Sequence, residues 1–142
     1  MILVAGSANL DFVVRASHIP APGETVLGHA LNTYPGGKGA NQAVASSRAG
    51  AVSTHMLLAL GDDAYARPLE SSLLAARVQL HASRVAGVAT GTAFICVSDE
   101  GENAITVAPP FTGPASRVTA PPAPRMRSHA AYASGTATAK WP

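Results

Sequence analysis

Short apolar runs, each ended by glycine, mark two predicted strands in the first part of the chain. Ile2–Ala5 is apolar throughout and ends at Gly6, which is typical of a short buried strand. Val52–Leu60 is the second predicted strand, and Gly61 ends it. These two segments are the predicted core strands.

Two helices are predicted, one before and one after the second strand. Lys38–Ala49 follows two glycines, is rich in alanine and is closed by Gly50. The other begins at the acidic pair Asp62–Asp63, whose charges favour a helix N-terminus, and runs to about Arg77. A proline at position 68 fits this helix only within its first turn.

Four further segments have an extended pattern. They form two consecutive pairs along the chain, and no helix is predicted between the two members of a pair. The first two flank a Pro-Ala-Pro-Gly turn, and the last two flank the hairpin sequence Ser-Asp-Glu-Gly-Glu. Alternating strands and helices predict an α/β fold with a parallel sheet, and the extended segments predict a small second sheet that projects from it. The four segments are Asp11–Ala16, Thr25–Tyr34, Thr92–Val97 and Ala104–Ala108.

The chain changes character at Pro109. Seven of its 11 prolines lie from there onward, and hydrophobic periodicity is absent. Such sequence buries too little apolar area to offset its ordering entropy. We therefore predict a domain over residues 1–108 and a disordered or irregular, Pro/Ala-rich tail over 109–142. A frameshift in a GC-rich gene would produce a tail of this composition.

The net charge of +2 describes the tail rather than the predicted domain. Residues 1–108 carry six Lys and Arg against eight Asp and Glu, and the remaining 34 residues carry four Lys and Arg with no acid. A nucleic-acid partner is not expected, because no basic patch falls within the predicted domain. No apolar run approaches the roughly 20 residues of a membrane span. We expect a cytoplasmic protein without membrane contact, and the single Cys96 excludes an internal disulfide.

The segment Pro35–Ala43, PGGKGANQA, is the most distinctive in the chain. Its glycines allow a close backbone approach, and the helix that follows offers N–H groups to a polar ligand. The spacing fits neither GxxxxGK[ST] nor GxGxxG. Tight packing of helix on strand would explain the glycines equally well. Asn41 in the first turn could bond a ligand hydroxyl, serve as a local cap or be a solvated amide.

Asn9 and Asp11 follow the first predicted strand, at the strand end where α/β proteins bind ligands. Residues two apart in an extended chain point the same way. A carboxylate accepts from two hydroxyls and an amide both donates and accepts, so the pair suits a polyol. An Asx turn is the alternative explanation.

Taken together, these motifs resemble the ribokinase, or PfkB-type, family of carbohydrate kinases. The order GSANLD, PAPGETV, PGGKGANQAVASSRAGA, GDDAYA and TGTAFICVSDEGENAI carries the resemblance over about residues 2–108. It implies the N-terminal half of a three-layer αβα, Rossmann-like fold with a small β-sheet lid. The four extended segments fall where the lid strands would be.

The resemblance implies transfer of the ATP γ-phosphoryl group, with Mg²⁺, to a primary hydroxyl of ribose or a related sugar. A nucleoside or fructose preference stays open, and the intact GGKGAN run favours ribose. By position, the sugar-binding residues are Asn9, Asp11, Gly37, Lys38 and Asn41. Family members are often homodimeric through the lid.

The family's catalytic residues have no counterpart in the sequence. Its second half carries a Gly-Ala-Gly-Asp motif that supplies the anion hole and the catalytic base, together with the adenine site. No such motif occurs in these 142 residues. We therefore predict no catalytic residue, no ATP-binding residue and no activity of the chain alone. A non-catalytic sugar-binding or interaction module is the alternative.

No metal site is predicted. The five histidines show no HxxxH or HxH spacing. The Asp62–Asp63 pair is interpreted as helix N-terminal acids rather than as metal ligands.

Overall fold

The computed structural model describes residues 1–50 and 52–109. The predicted tail, apart from Pro109, lies outside these residues. The elements in the described part are β1 (Ile2–Ala5), β2 (Asn9–Ala16), β3 (Gly28–Gly36), α1 (Lys38–Ala49), β4 (Thr54–Gly61), α2 (Ala66–Ala75), β5 (Gln79–Val85), β6 (Thr92–Ser98) and β7 (Asn103–Ala108).

The strands form two sheets. The first is parallel and three-stranded, in the order β1-β4-β5, and the second has four strands in the order β3-β2-β6-β7. In the second sheet β2 runs parallel to β6, while β3 and β7 pair antiparallel at the two edges. The prediction of an α/β fold with a separate small sheet is confirmed, and all four extended segments lie in that sheet.

The hydrophobic core lies between the parallel sheet and the two helices. Alternate β4 residues Met56, Leu58 and Leu60 are buried, and they belong to one cluster with Leu69 and Leu73 of α2. Helix α1 packs on β1 and β4, and α2 packs on β5. Within the described residues both helices therefore cover the same face, which gives two of the three layers of the expected αβα fold.

The strand that the sequence analysis missed is β5. Its sequence QLHASRV alternates weakly between polar and apolar residues, and parallel pairing with β4 stabilises it. Strand β3 begins three residues later than predicted and runs through Pro35 to Gly36. A proline fits there because β3 is an edge strand, where an N–H donor can be absent.

Helix α2 begins later than predicted, at Ala66 instead of at the acidic pair, and Pro68 falls in its first turn as expected. At the other end, Arg77 has a positive φ of 60°. The amide of Arg77 donates to the Leu74 carbonyl (2.9 Å), and that of Val78 donates to the Leu73 carbonyl (3.0 Å). This pattern is a Schellman motif, in which the left-handed position usually holds glycine.

Candidate functional site

The loop between β1 and β2 packs backbone to backbone against the start of α1. The Ala40 amide donates to the Ser7 carbonyl at 3.1 Å. A Cβ at Gly39 would lie 2.8 Å from the Gly6 Cα, and one at Gly37, whose φ is 98°, would lie 2.7 Å from the Ala8 Cα. Both glycines are therefore required by close packing, so the packing explanation considered for this segment applies to them.

This packing places the start of β2 beside the glycine-rich turn that precedes α1. Asn9 pairs with Gly36 across the β2–β3 ladder. The Asp11 carboxylate reaches the same glycine: a Cβ at Gly36 would lie 2.7 Å from the Asp11 Cγ and 2.9 Å from its Oδ1. The sequence analysis named Gly36 only as part of the motif, whereas in the structure it makes room for Asp11.

The Asp11 carboxyl is half-buried. Burial raises its pKa above the ordinary value for aspartate, because desolvation disfavours the charged form. Within residues 1–50 and 52–109 the carboxylate forms no hydrogen bond or ion pair. A partly desolvated acceptor without a partner is suited to receiving hydroxyl donors from a ligand.

The five predicted sugar-binding residues lie along one junction. Asn9 and Asp11 are at the start of β2, Gly37 is the N-cap of α1, and Lys38 and Asn41 lie in the first turn. No side chain caps this helix, so Asn41 is not its cap. Its amide donates to the Gly37 carbonyl at 2.9 Å, and its side chain is exposed.

A second cluster joins the parallel sheet to the four-stranded sheet, and the sequence analysis did not predict it. The Asp63 carboxylate accepts from the backbone amides of Thr90 (2.7 Å) and Tyr65 (3.1 Å). The Thr90 hydroxyl accepts from the buried Gly61 amide at 3.0 Å. No sequence signal identifies this cluster, because Thr90 lies 27 residues from Asp63 and 29 from Gly61.

Burial is the largest single influence on the Asp63 pKa, and by itself it would raise the pKa. Hydrogen bonds from Thr90, Tyr65 and Ala66 together outweigh burial, so the pKa lies below its ordinary value. Asp63 therefore joins the start of α2 to the segment that leads into β6, and it stays ionised. Asp63 thus accepts from amides just before and at the start of α2, as expected of a helix N-terminal acid, although the first turn itself contains no acidic residue.

The residues described at the start of α1 do not fit a nucleotide phosphate. The glycines pack against the backbone of the β1–β2 loop, and the Asp11 carboxylate next to them would repel an anion. Over residues 1–50 and 52–109 no three His, Cys, Asp or Glu side chains converge on a possible metal position. Neither helix of the described part is long and apolar enough to span a bilayer.

Comparison with known proteins gives one consistent family. The model of the pfkB family of carbohydrate kinases matches residues 1–121. Ribokinase from Bacillus subtilis is 44% identical over 107 residues, an alignment that covers 75% of this chain and 36% of that protein. The chain thus spans about a third of the length of the curated relatives it matches.

Solved structures agree on the fold. Ribokinase from Thermotoga maritima superposes with a TM-score of 0.70 at 36% identity, covering 76% of this chain and 36% of that one. Ribokinase from Arabidopsis thaliana, complexed with ribose and ATP, gives a TM-score of 0.66 at 32% identity, covering 75% and 35%.

Proposed function

The chain belongs to the pfkB family of carbohydrate kinases, and on that premise we propose that its described residues form the sugar-binding portion of a ribokinase-like enzyme. The substrate we propose is ribose or a closely related sugar. The Asp11 carboxylate carries the proposal: it is half-buried, has no partner among the described residues and faces a glycine that leaves it room. The Arabidopsis relative, complexed with ribose and ATP, supports the choice of sugar.

Each residue of the junction has a distinct proposed role. Asp11 accepts from two sugar hydroxyls in charge-assisted hydrogen bonds, which are the stronger class. Asn9 and Asn41 supply amide groups that donate and accept. Gly37 allows α1 to approach β2 closely, and Lys38 contributes least to a neutral sugar, since an ammonium gains little from hydroxyls. These roles hold and orient the sugar, and none of them transfers a phosphoryl group.

We propose that phosphoryl transfer requires the part of the family domain that lies outside these 142 residues. Parallel sheets are almost always covered on both faces. Here β1 is at the sheet edge, and Leu3 on the face opposite the helices is 50% exposed. This open surface is where the remaining two-thirds of a full-length relative would pack and bring the base and the ATP site.

Ribose titration by thermal unfolding tests the proposal. The full chain, without nucleotide, is expected to show a melting temperature that rises with ribose and saturates, since a ligand that binds only the folded state stabilises it. With ATP and Mg²⁺ added, no ribose phosphate should form above the blank. An unchanged melting temperature would contradict sugar binding. Ribose phosphorylation that Asp11→Ala abolishes would contradict the absence of catalysis.

A further inference from the structure

Two histidines that are distant in sequence meet on the parallel sheet. His55 lies on β4 and His81 on the adjacent strand β5, where His81 pairs with Leu57. The two therefore share a face, two positions apart along the strands. Nδ1 of His55 lies 3.0 Å from Nε2 of His81. The ring planes differ by 10° with centroids 5.3 Å apart, which is too far for face-to-face contact, so the rings meet edge to edge through these nitrogens.

This pair lies on the face of the sheet that α1 and α2 leave uncovered. The pattern of β4 alternates between buried residues toward the helices and half-buried residues on the opposite side, and His55 belongs to the second set. Its neighbour on β1 is Leu3, which is half exposed. Neither ring forms an ion pair with any described residue. Both rings are half-buried among the described residues, which leaves their edges accessible to a small ion in this chain; in a full-length relative, the rest of the domain would pack on the same face.

From this geometry we propose that His55 and His81 chelate a late first-row divalent transition metal ion, of the class of Zn²⁺, Ni²⁺ and Cu²⁺. Neutral imidazole nitrogens are preferred ligands for these ions. Two nitrogens bound at about 2.0–2.1 Å to a tetrahedral ion lie about 3.3 Å apart. The present 3.0 Å must therefore open slightly, and both rings must turn until their lone pairs point at the ion and no longer at each other. Water completes the coordination from the open side.

The proton balance is simple for the neutral pair. One ring now donates its N–H to the lone pair of the other. When a metal ion takes the place of that proton, the proton moves to the outer nitrogen of the donor ring. Both facing nitrogens then present lone pairs, and no proton is lost.

Calorimetric titration of the full chain with ZnCl₂ tests the proposal, with MgCl₂ as the negative control because Mg²⁺ prefers oxygen ligands. We expect one Zn²⁺ per chain. Binding should be at least about tenfold weaker in either His55→Gln or His81→Gln, since loss of even an outer-shell partner of a metal ligand typically costs about 10–100-fold. The matched controls are His18→Gln and His29→Gln, whose rings lie beside Glu24 and Asp99. Both controls should bind Zn²⁺ as the unaltered chain does.

Proton NMR of the unaltered chain keeps the test independent of variant folding. Zn²⁺ should shift the ring resonances of two of the five histidines, and these should be the two lost in the His55 and His81 variants. Absence of saturable Zn²⁺ binding would overturn the proposal. So would binding that the His18 or His29 variant removes while the His55 variant retains it.

Discussion

The Asp11 carboxylate occupies the space that a side chain at Gly36 would fill. A Cβ on that glycine would lie 2.7 Å from the Asp11 Cγ, much closer than carbon atoms approach at their optimal separation. The two residues sit on neighbouring antiparallel strands. The glycine therefore fixes where the carboxylate can point, and with it the geometry of the proposed sugar site.

Gly36→Ala should weaken ribose binding by displacing the Asp11 carboxylate. It should lower the free energy of unfolding by less than the roughly 1–3 kcal/mol typical of core overpacking, because the added Cβ meets only the end of one side chain. In an Asp11→Ala background, the same glycine substitution should cost little stability, because the atoms it meets are gone. Urea unfolding of the two single variants and the double variant measures this coupling. A cost that is equal in both backgrounds would show that Asp11 is not the obstructing group.

Asp11 should oppose folding at neutral pH. Its pKa is raised in the folded chain by burial, so the folded state holds more protons and stability falls as pH rises from the unfolded pKa through the folded one. Asp11→Asn should therefore raise the melting temperature at about pH 7, and the gain should disappear below about pH 3.9, the ordinary aspartate value. A variant that is less stable than the unaltered chain at neutral pH would refute this.

The contribution of Asp63 to stability should depend on pH in the opposite sense, so Asp63 is the matched comparison for Asp11. Its folded pKa is lowered, so its contribution is present above the unfolded pKa and is lost as pH falls through the folded pKa. At about pH 7, Asp63→Asn should lower the free energy of unfolding, because a neutral amide oxygen accepts from the Thr90 and Tyr65 amides less strongly than the ionised carboxylate does. The cost should disappear in acid. A pH-independent difference would contradict the role of the ionised carboxylate.

Arg77→Gly should stabilise the chain. The left-handed conformation at Arg77 costs an L-residue about 1–2 kcal/mol, and the greater flexibility of unfolded glycine cancels about 0.4–1 kcal/mol of the gain. We expect a net increase of about 0.5–1 kcal/mol in the free energy of unfolding. Arg77→Ala is the control and should give no gain, since alanine keeps the Cβ. Equal effects of both substitutions would assign the change to the lost charge.

The exposed strand β1 should promote self-association. Ile2 is 38% exposed and Leu3 50% exposed at a sheet edge where no other strand of residues 1–50 and 52–109 pairs, and such an edge is a template for pairing with another chain. Sedimentation velocity should show concentration-dependent assembly that Leu3→Lys reduces. Leu27→Lys is the matched control, because Leu27 is 90% exposed but lies outside every strand. Assembly that persists equally in both variants would exclude the β1 edge.

Local sequence pattern predicted most of the fold because its main elements have strong local signals. Helix α1 was predicted with the observed bounds, since two glycines precede its alanine-rich stretch and another follows it. The missed strand β5 lacks such a signal: His81 and Ser83 interrupt its apolar residues. Pairing with β4 defines that strand, and a pairing partner cannot be inferred from a seven-residue window.

The sequence motifs grouped the residues of the proposed sugar site, and the structure brings them to one junction, but the sequence did not provide the internal geometry of that junction. Asn9 and Asp11 were predicted to share a face, and the strand β2 puts them there. The reason for Gly36 became visible only with the β2–β3 register. The His55–His81 pair was missed because rules for metal ligands use short spacings, whereas these rings are 26 residues apart.

Calorimetric titration of ribose into single variants of the full chain tests the central claim most directly. The unaltered chain should bind one ribose, and Asp11→Ala should weaken binding by about 1.5–3 kcal/mol, the value of hydrogen bonds to a charged group. Asn41→Ala should cost about 0.5–1.5 kcal/mol, as neutral bonds do, and Lys38→Ala should cost least. Each variant is first checked for folding by circular dichroism. Equal, small effects at all three positions, or no ribose binding by the unaltered chain, would contradict the assignment of the sugar site.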